Sequence, residues 1–225
     1  MRDLSDWKGC EPPHRKEFEG RYVRLEPLDA AKHGDELYEA AIAGDSEGRF
    51  RWLPENTPAS REAFEPWLLK AEASPDPVYY AVIDLATGKV AGRQTMMRMD
   101  PKNGVSEIGH IHWGPLIQKT PATTEAFYLF ASHLFDDLGY RRFEWKCNNR
   151  NEPSKDAALR YGMTAEGVHR QLSVVKGENR DTAWFSLLDY EWLKAGEAMR
   201  LWLDPSNFDE NGKQIRRLEE IRRSL

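Results

Sequence analysis

Only two cysteines, Cys10 and Cys147, occur in 225 residues, too few for a disulfide framework. Cys147 lies in an apolar, strand-like run where a free thiol packs as a small hydrophobe, so free thiols without a redox role are expected. Positive charge is not in excess: 32 Lys and Arg stand against 37 Asp and Glu, for a net charge of -5 and a pI near 5.8. No global field favours phosphate backbones or anionic membranes, and neither a nucleic-acid nor a membrane partner is expected. Long hydrophobic runs are missing too. The longest, around residues 127–135, is interrupted by Ser132 and His133 and falls far short of the roughly 18 residues of a membrane span. The first twenty residues mix charges with Pro12 and Pro13 and have no apolar segment. They do not read as a secretory signal, and a cytoplasmic location is the expectation.

What the chain does contain is apolar material for a sizeable core: 40% hydrophobic residues, with eight tryptophans. At roughly 150 residues per domain, the length suits one domain with terminal extensions, and no internal repeat is visible. Residues 22–25 alternate apolar and polar side chains up to Pro27, as a half-buried strand does. Asp29 suits a helix cap, followed by Leu37, Ala40 and Ala41 at helical spacing. Phe64, Trp67, Leu68 and Ala71 give a second helix over 60–73. Residues 78–85, 89–99 and 106–113 read as a three-stranded antiparallel meander whose first turn is Ala86-Thr87-Gly88. Over 124–138 apolar residues recur every three or four positions, and Gly139 suits the stop.

A strand over 142–147 and a helix over 151–161 repeat that order, the helix opened by Asn151, with Pro153 in its first turn, and stopped by Gly162. A hairpin of 168–175 and 182–189 and a helix over 190–203 follow. A charged helix over 214–225 carries Ile215, Leu218 and Ile221 on one side. This tail is expected to clamp onto the body or a partner subunit, which leaves a homodimer open. Strands interrupted by two βα units, with one apolar face per helix, predict an α/β or α+β domain: a mixed sheet with helices packed on it.

Residues 113–126, which join the third meander strand to the following helix, run WGPLIQKTPATTEA. Free backbone N–H groups at such a helix start, with the helix dipole, form a natural pyrophosphate cradle. Thr120, Thr123 and Thr124 can add hydroxyl donors and Lys119 a cation. Around this segment stand Gly20-Arg21-Tyr22-Val23-Arg24-Leu25, Glu107-Ile108-Gly109-His110, Pro115 three residues before Gln118, Thr124-Glu125-Ala126 and Leu138-Gly139-Tyr140. Then come Asn151-Glu152-Pro153-Ser154, Tyr161-Gly162-Met163, Glu166-Gly167, and Asn179-Arg180-Asp181 through Tyr190-Glu191-Trp192. In this order and spacing, over about residues 20–192, the chain resembles the GNAT N-acetyltransferases, and within them the branch that acetylates ribosomal-protein N-termini.

The resemblance implies a GNAT-like, mostly antiparallel sheet of about seven strands flanked by helices. It divides the chain into an N-terminal arm (1–19), an acetyltransferase domain (20–192) and a C-terminal helical extension (193–225). It implies acetyl-CoA as co-substrate, no metal, and direct transfer of the acetyl group to a primary amine, either a protein N-terminus or a small molecule. Cofactor contacts are expected at Trp113, Gly114, Gln118, Lys119, Thr120, Ala122, Thr123, Thr124, Asn151 and Ser154. The family's loop places small residues where this chain has Pro121 and Thr123, and Pro121 has no N–H, so one phosphate donor is missing.

The reaction requires a base for an ammonium whose pKa is about 8 for an α-amine or about 10 for a lysine. Glu107 is the candidate. Strand alternation puts it on the side of Gly109, Ile111 and Trp113, facing either the cleft or a solvated sheet face. Backbone N–H groups near Trp113 and Gly114 would bind the developing oxyanion if a bulge splays this strand from the one ending at Cys147. The tyrosine with which many relatives protonate the thiolate aligns with Ala158. The serine of the ribosomal-protein branch matches Ser154, which would hydrogen-bond the CoA sulfur or, as the plainer alternative, only its own helix turn. Arg51 and Trp52 fall where substrate-covering loops lie, although a packed tryptophan is the plainer account. The rival reading is a non-catalytic acyl-CoA-binding or interaction module on the same scaffold.

Other motifs fit less well. Gly44-Asp45-Ser46-Glu47-Gly48 matches the G-x-S-x-G nucleophile elbow, but that motif needs a strand before it, and here a helix precedes and a loop follows. His110 and His112 share a strand face without a third metal ligand placed by spacing. Asn207, Asp209, Asn211 and Gly212 resemble a calcium loop, but Leu218 stands where its glutamate is required, so a turn is expected. The arginines of 216–223 are interleaved with Glu219 and Glu220, as on a solvated helix face.

Overall fold

The computed structural model describes residues 3–225; residues 1 and 2 of the expected arm lie outside the described residues. Eight strands form one sheet: β1 Phe18–Glu19, β2 Val23–Pro27, β3 Val78–Asp84, β4 Val90–Asp100, β5 Val105–Trp113, β6 Arg142–Asn148, β7 Thr164–Val175 and β8 Glu178–Leu188. Their spatial order is β1-β2-β3-β4-β5-β6-β8-β7. All neighbours are antiparallel except β5 and β6. The mixed α/β architecture and the β3–β5 meander are as expected. The additional strand is β1, inside the stretch assigned to an arm. It pairs with Arg24 and Leu25 and buries Phe18 against Tyr80 and Phe130.

Helices cover the two faces unequally. Asp29 caps α1 (Ala30–Ile42) by accepting the Lys32 N–H, and Ser60 caps α3 (Arg61–Glu72) by accepting that of Ala63. These helices press Leu37, Phe64 and Leu68 onto Tyr79, Ala81 and Ile83 on one face. On the other face, α4 (Pro121–Ser132), α5 (Glu152–Arg160) and α6 (Asp189–Trp202) enclose the larger cluster around Phe127, Phe130, Phe143, Trp145 and Met199. Lying between both layers, β3 is buried at its first six positions, hence its near-continuous apolar sequence. The first face is open over β6–β8.

Three expectations are corrected. Residues 46–50, taken as nucleophile-elbow candidate and loop, form a short helix α2 (Ser46–Phe50) capped by Asp45. A helix precedes it, so Ser46 is not presented at the end of a strand. The helix expected to reach residue 138 passes at Ser132 into a π-helical segment, His133–Asp137, before Gly139 turns the chain at φ +69. The charged C-terminal helix is only α7 (Leu218–Ser224). Gln214 is bridged to Phe208 and accepts from Trp202 Nε1, while the Arg216 N–H donates to Asn207 Oδ1. These bonds hold the backbone extended, and Ile215 stays exposed.

The tail nonetheless clamps onto the body. Leu218 and Ile221 are buried in the same cluster as Trp192, Trp202 and the sheet. Arg222 donates to the carbonyls of Arg160 and Leu159 at the end of α5, where a helix leaves carbonyls to be satisfied from outside. Residues 19 and 192 therefore do not separate packing units. The calcium-like stretch is a turn in which Asp209 accepts the N–H groups of Asn211 and Lys213.

Candidate active site

The centre of the sheet is parted. Parallel pairing of β5 with β6 runs from Val105–Arg142 to Ile108–Trp145 and stops there, although β5 continues to Trp113 and β6 to Asn148. The cause lies in β5. Between the rungs Thr95–Gly109 and Arg93–His112 it holds one residue more than β4, and His110 takes φ +46. This is a β-bulge, which bends the strand away from its neighbour. Gly114 donates its N–H to Ala91 O at 2.7 Å, on the β4 side and away from the gap. By alternation the Trp113 N–H points to the other side, toward β6.

The bulge also changes which residues share a face. Glu107 pairs with Glu144 and neighbours Lys146 on the open face, whereas Trp113 packs on Trp145 and donates to Gln94 Oε1 on the α4 face. The expectation that Glu107 and Trp113 look the same way is thus corrected: the inserted residue inverts the alternation between them. Glu107 occupies the last-but-one paired rung before the gap and is 5% exposed. Its Oε2 accepts from Lys146 Nζ at 2.6 Å and lies 3.3 Å from Arg98 Nε. Arg98 sits at φ +49 where β4 carries a bulge of its own, which turns its guanidinium onto Glu107. Oε1 carries neither cation. Burial raises the Glu107 pKa, against the pull of Lys146 and Arg98.

His110 and His112 do share the open-face side, His110 against Tyr79 and His112 against Phe50. Burial first, then the Arg93 charge, pushes both imidazoles down, His112 to about 3. Arg49 Nε donates to His112 Nε2, while His110 Nδ1 is enclosed without a hydrogen-bond partner. Among the described residues no group of three or more His, Cys, Asp or Glu could hold a metal. Sequence reasoning set His110 aside; the positive φ that places it at the bulge has no signature in a lone histidine on a strand.

On the α4 face, Thr120 is the N-cap of α4 and Pro121 its N1 residue, where a missing N–H removes no helix bond. Of the three threonines expected to offer hydroxyls, Thr120 and Thr123 donate theirs internally, and Thr124 is buried against Arg160. Thr120 Oγ1 donates to Ile117 O and accepts from Ala122 N, Thr123 Oγ1 donates to Thr120 O, and Thr124 Oγ1 accepts from Arg160 at 2.9 Å. Gln118 Nε2 donates to Trp113 O, tying the loop to the end of β5. Lys119, at φ +61, is exposed beside it. Asn151 caps α5 through the Ser154 N–H. Ser154 Oγ accepts from Trp145 Nε1 at 3.0 Å and leans on Cys147, whose thiol burial pushes up and the serine hydroxyl draws back. Ser154 and Glu107 therefore flank the gap from opposite faces.

Arg51 and Trp52, the expected acceptor-side pair, stack at 4.8 Å and wall a cleft of 150 Å³ together with Asn148 at the end of β6 and Lys176, Glu178 and Arg180 of the β7–β8 hairpin. Lys176 Nζ donates to Phe50 O, joining the hairpin to α2 across this cleft. Lys176 and Arg180 were not among the residues expected from the sequence.

The model of the family described as acetyltransferase (GNAT) domain matches residues 23–164. The chain belongs to this family. A GCN5-related N-acetyltransferase from Brucella melitensis is 59% identical, with TM-score 0.97 over 98% of this chain and 100% of that one. A probable acetyltransferase of the GNAT family from Chromobacterium violaceum is 37% identical, with TM-score 0.78 over 85% of this chain and 96% of that one. An uncharacterized N-acetyltransferase, p20, of Bacillus licheniformis is 29% identical over 117 residues, 50% of this chain; the match spans 63% of that relative's length.

Proposed function

We propose that the chain is an N-acetyltransferase that moves the acetyl group of acetyl-CoA directly to a primary amine. The observation that carries this reading is the gap beyond the Ile108–Trp145 rung, with a carboxylate on one face of the sheet and a hydroxyl on the other. The unpaired edge of β5 can accept an extended pantetheine-like arm as a strand would, and the Trp113 N–H is positioned to meet the carbonyl oxygen as it gains charge. Gly114 is not a donor in this reading, because Ala91 holds its N–H. Lys119, with the N–H groups that remain at the start of α4, supports the phosphates. Gln118 and Ala122 shape that turn, Thr120 and Thr123 spend their hydroxyl protons within it, and Thr124 is buried behind it.

Glu107 Oε1 takes a proton from the acceptor ammonium, directly or through water, and its raised pKa brings it nearer that of the amine. The nitrogen then attacks the thioester carbonyl. The C–N bond forms, the C–S bond breaks, and the proton that the nitrogen still has in excess passes to the departing thiolate, which is met by the Ser154 hydroxyl, whose oxygen already accepts from Trp145. With a thiol pKa of about 8.5, the leaving group needs only such weak help. Arg51 and Trp52 border the acceptor. A protein N-terminus, as in the ribosomal-protein branch, and a small amine both fall within the proposal.

Titration calorimetry with acetyl-CoA, followed by thiol release against a panel of amines and peptides, tests it. Binding with amine-dependent thiol release is expected. Pro121 and the alanine, Ala158, at the position of the missing tyrosine motivate the rival module, which tight binding without release on any amine would establish. Absence of binding would overturn both readings.

A further inference from the structure

The acceptor-side cleft is cationic in a chain whose net charge is -5. Arg51, Lys176 and Arg180 line it, and among the described residues none of the three makes an ion pair. The cleft's carboxylate, Glu178, lies 3.4 Å from Arg150 Nη2 instead. The remaining polar lining includes Asn148, which is neutral.

Arg180 has the most telling place. The last rung between β6 and β8 is Asn148–Thr182, so Arg180 lies two residues beyond it. Alternation puts it on the face of Trp184, over whose ring Lys146 lies. That is the face of Glu107. With Asn148, the last residue of β6, Arg180 lines the cleft, so the side chain stands beside the end of the strand that borders the gap. Its Nε is enclosed with no hydrogen-bond partner. A guanidinium N–H shut away from water without an acceptor is a costly arrangement. The Nη groups of Arg180 remain for a planar carboxylate, which takes two parallel charge-assisted bonds from a guanidinium.

Resting on the acetyl-transfer reading, we infer that the acceptor amine carries a carboxylate, bound by Arg180 with Arg51 and Lys176 at the rim. The cleft thereby aims the amine at Glu107 and selects against neutral and polycationic amines. Two sources share this chemistry: the α-carboxylate of a free amino acid, and the side-chain carboxylate of an acidic first residue in a peptide.

The test compares matched pairs. In one arm glutamine is set against glutaminamide; in the other, peptide amides beginning with Glu or Asp are set against those beginning with Gln or Asn. KM in thiol release is expected to be at least tenfold lower for the carboxylate member of one arm, and the arm identifies the source. Arg180→Gln should abolish that difference by raising KM with kcat little changed. Arg180→Lys should restore part of it, and Arg51→Gln with Lys176→Gln should weaken it without touching β8.

Binding of the N-acetylated forms of the same pairs, followed by ligand-observed NMR, reads the cleft without turnover. A carboxylate preference there together with no thiol release would defeat the acetyl-transfer reading and leave the anion site standing. Equal binding of carboxylate and amide members, or a preference unchanged in Arg180→Gln, overturns the inference whatever the turnover shows.

Discussion

Glu107 and Ser154 sit on opposite faces of one gap, and each has a structural partner that a catalytic role must be told apart from. Glu107 shares its Oε2 with Lys146 and Arg98, so Glu107→Gln keeps the shape of the rung and removes only the charge. Lys146 retains Glu144 at 2.7 Å, which protects the fold. A general base contributes about 10²- to 10⁴-fold, and kcat should fall by that order. The pH profile supplies the sharper check. The ionised carboxylate is the active form and burial raises its pKa, so wild-type kcat/KM should decline as pH falls through a value above 4.5, the ordinary value for glutamate. That acid limb should vanish in the glutamine variant; a limb that persists assigns the proton to another group, with His110 the nearest candidate at the bulge. Ser154→Ala deprives Trp145 Nε1 of its acceptor, at a cost of roughly 1 kcal/mol. If its thermal midpoint drops while kcat stays within twofold, about the scatter of such assays, the serine is a support for Trp145 and not a partner of the thiol.

At the scale of elements, the contact between α4 and the β1–β2 turn explains two motifs that stand a hundred residues apart. Glu125, buried on α4, accepts the N–H groups of Arg21, Tyr22 and Val23 at 2.8, 2.5 and 2.9 Å. A Cβ at residue 20 would run into its carboxyl group, so the turn needs glycine to let the carboxylate in. Gly20→Ala should displace it and cost on the order of 3 kcal/mol through three charge-assisted bonds. Urea denaturation measures this, and a loss below about 0.5 kcal/mol, the range of ordinary surface substitutions, would show that the turn closes by other means.

Both motifs were legible as sequence patterns, although their contact was not; so were the caps Asp29 and Asn151 and the apolar spacing of α1 and α3, because a cap or a helix face is a local signal in which each residue's neighbours in space are its neighbours in sequence. The bulge was not. It depends on the register of β5 against β4, and it decides that Trp113 and Glu107 face apart, that Gly114 N–H turns toward Ala91, and that the sheet opens at all. The threonine hydroxyls were misjudged for a related reason. Thr124 looks available at a helix start until Arg160, on a different helix, is brought against it. Lys176 and Arg180, the latter part of a motif noted in the sequence, were not assigned to the site because a hairpin's polar residues declare their face only when β8 is paired with β6.

For the whole molecule, the acid side of the stability curve is set by carboxylates whose partners lie on other parts of the chain. Glu26 on β2 is 6% exposed. Burial alone would raise its pKa, but hydrogen bonds from Lys32, His33 and Arg24 hold it at about 2, from an ordinary 4.5. A folded-state pKa below the unfolded one means that the unfolded chain binds the proton more readily. The contribution is therefore complete above pH 4.5 and is lost as pH falls from there toward 2. Because Lys32 is largely in water, solvent screening reduces the full linkage value, and about 1–2 kcal/mol is the expected share. Glu166, also held at about 2, chiefly by Arg142, acts in the same window, so the stability of the native chain should fall more steeply below pH 4.5 than Glu26 alone requires. Glu26→Gln should lower the urea midpoint at pH 7 and flatten the decline between pH 4.5 and 3 without abolishing it. Wild-type and variant curves that run parallel through that interval would remove Glu26 from the account and leave acid sensitivity to the Arg142–Glu166 pair on the far side of the sheet.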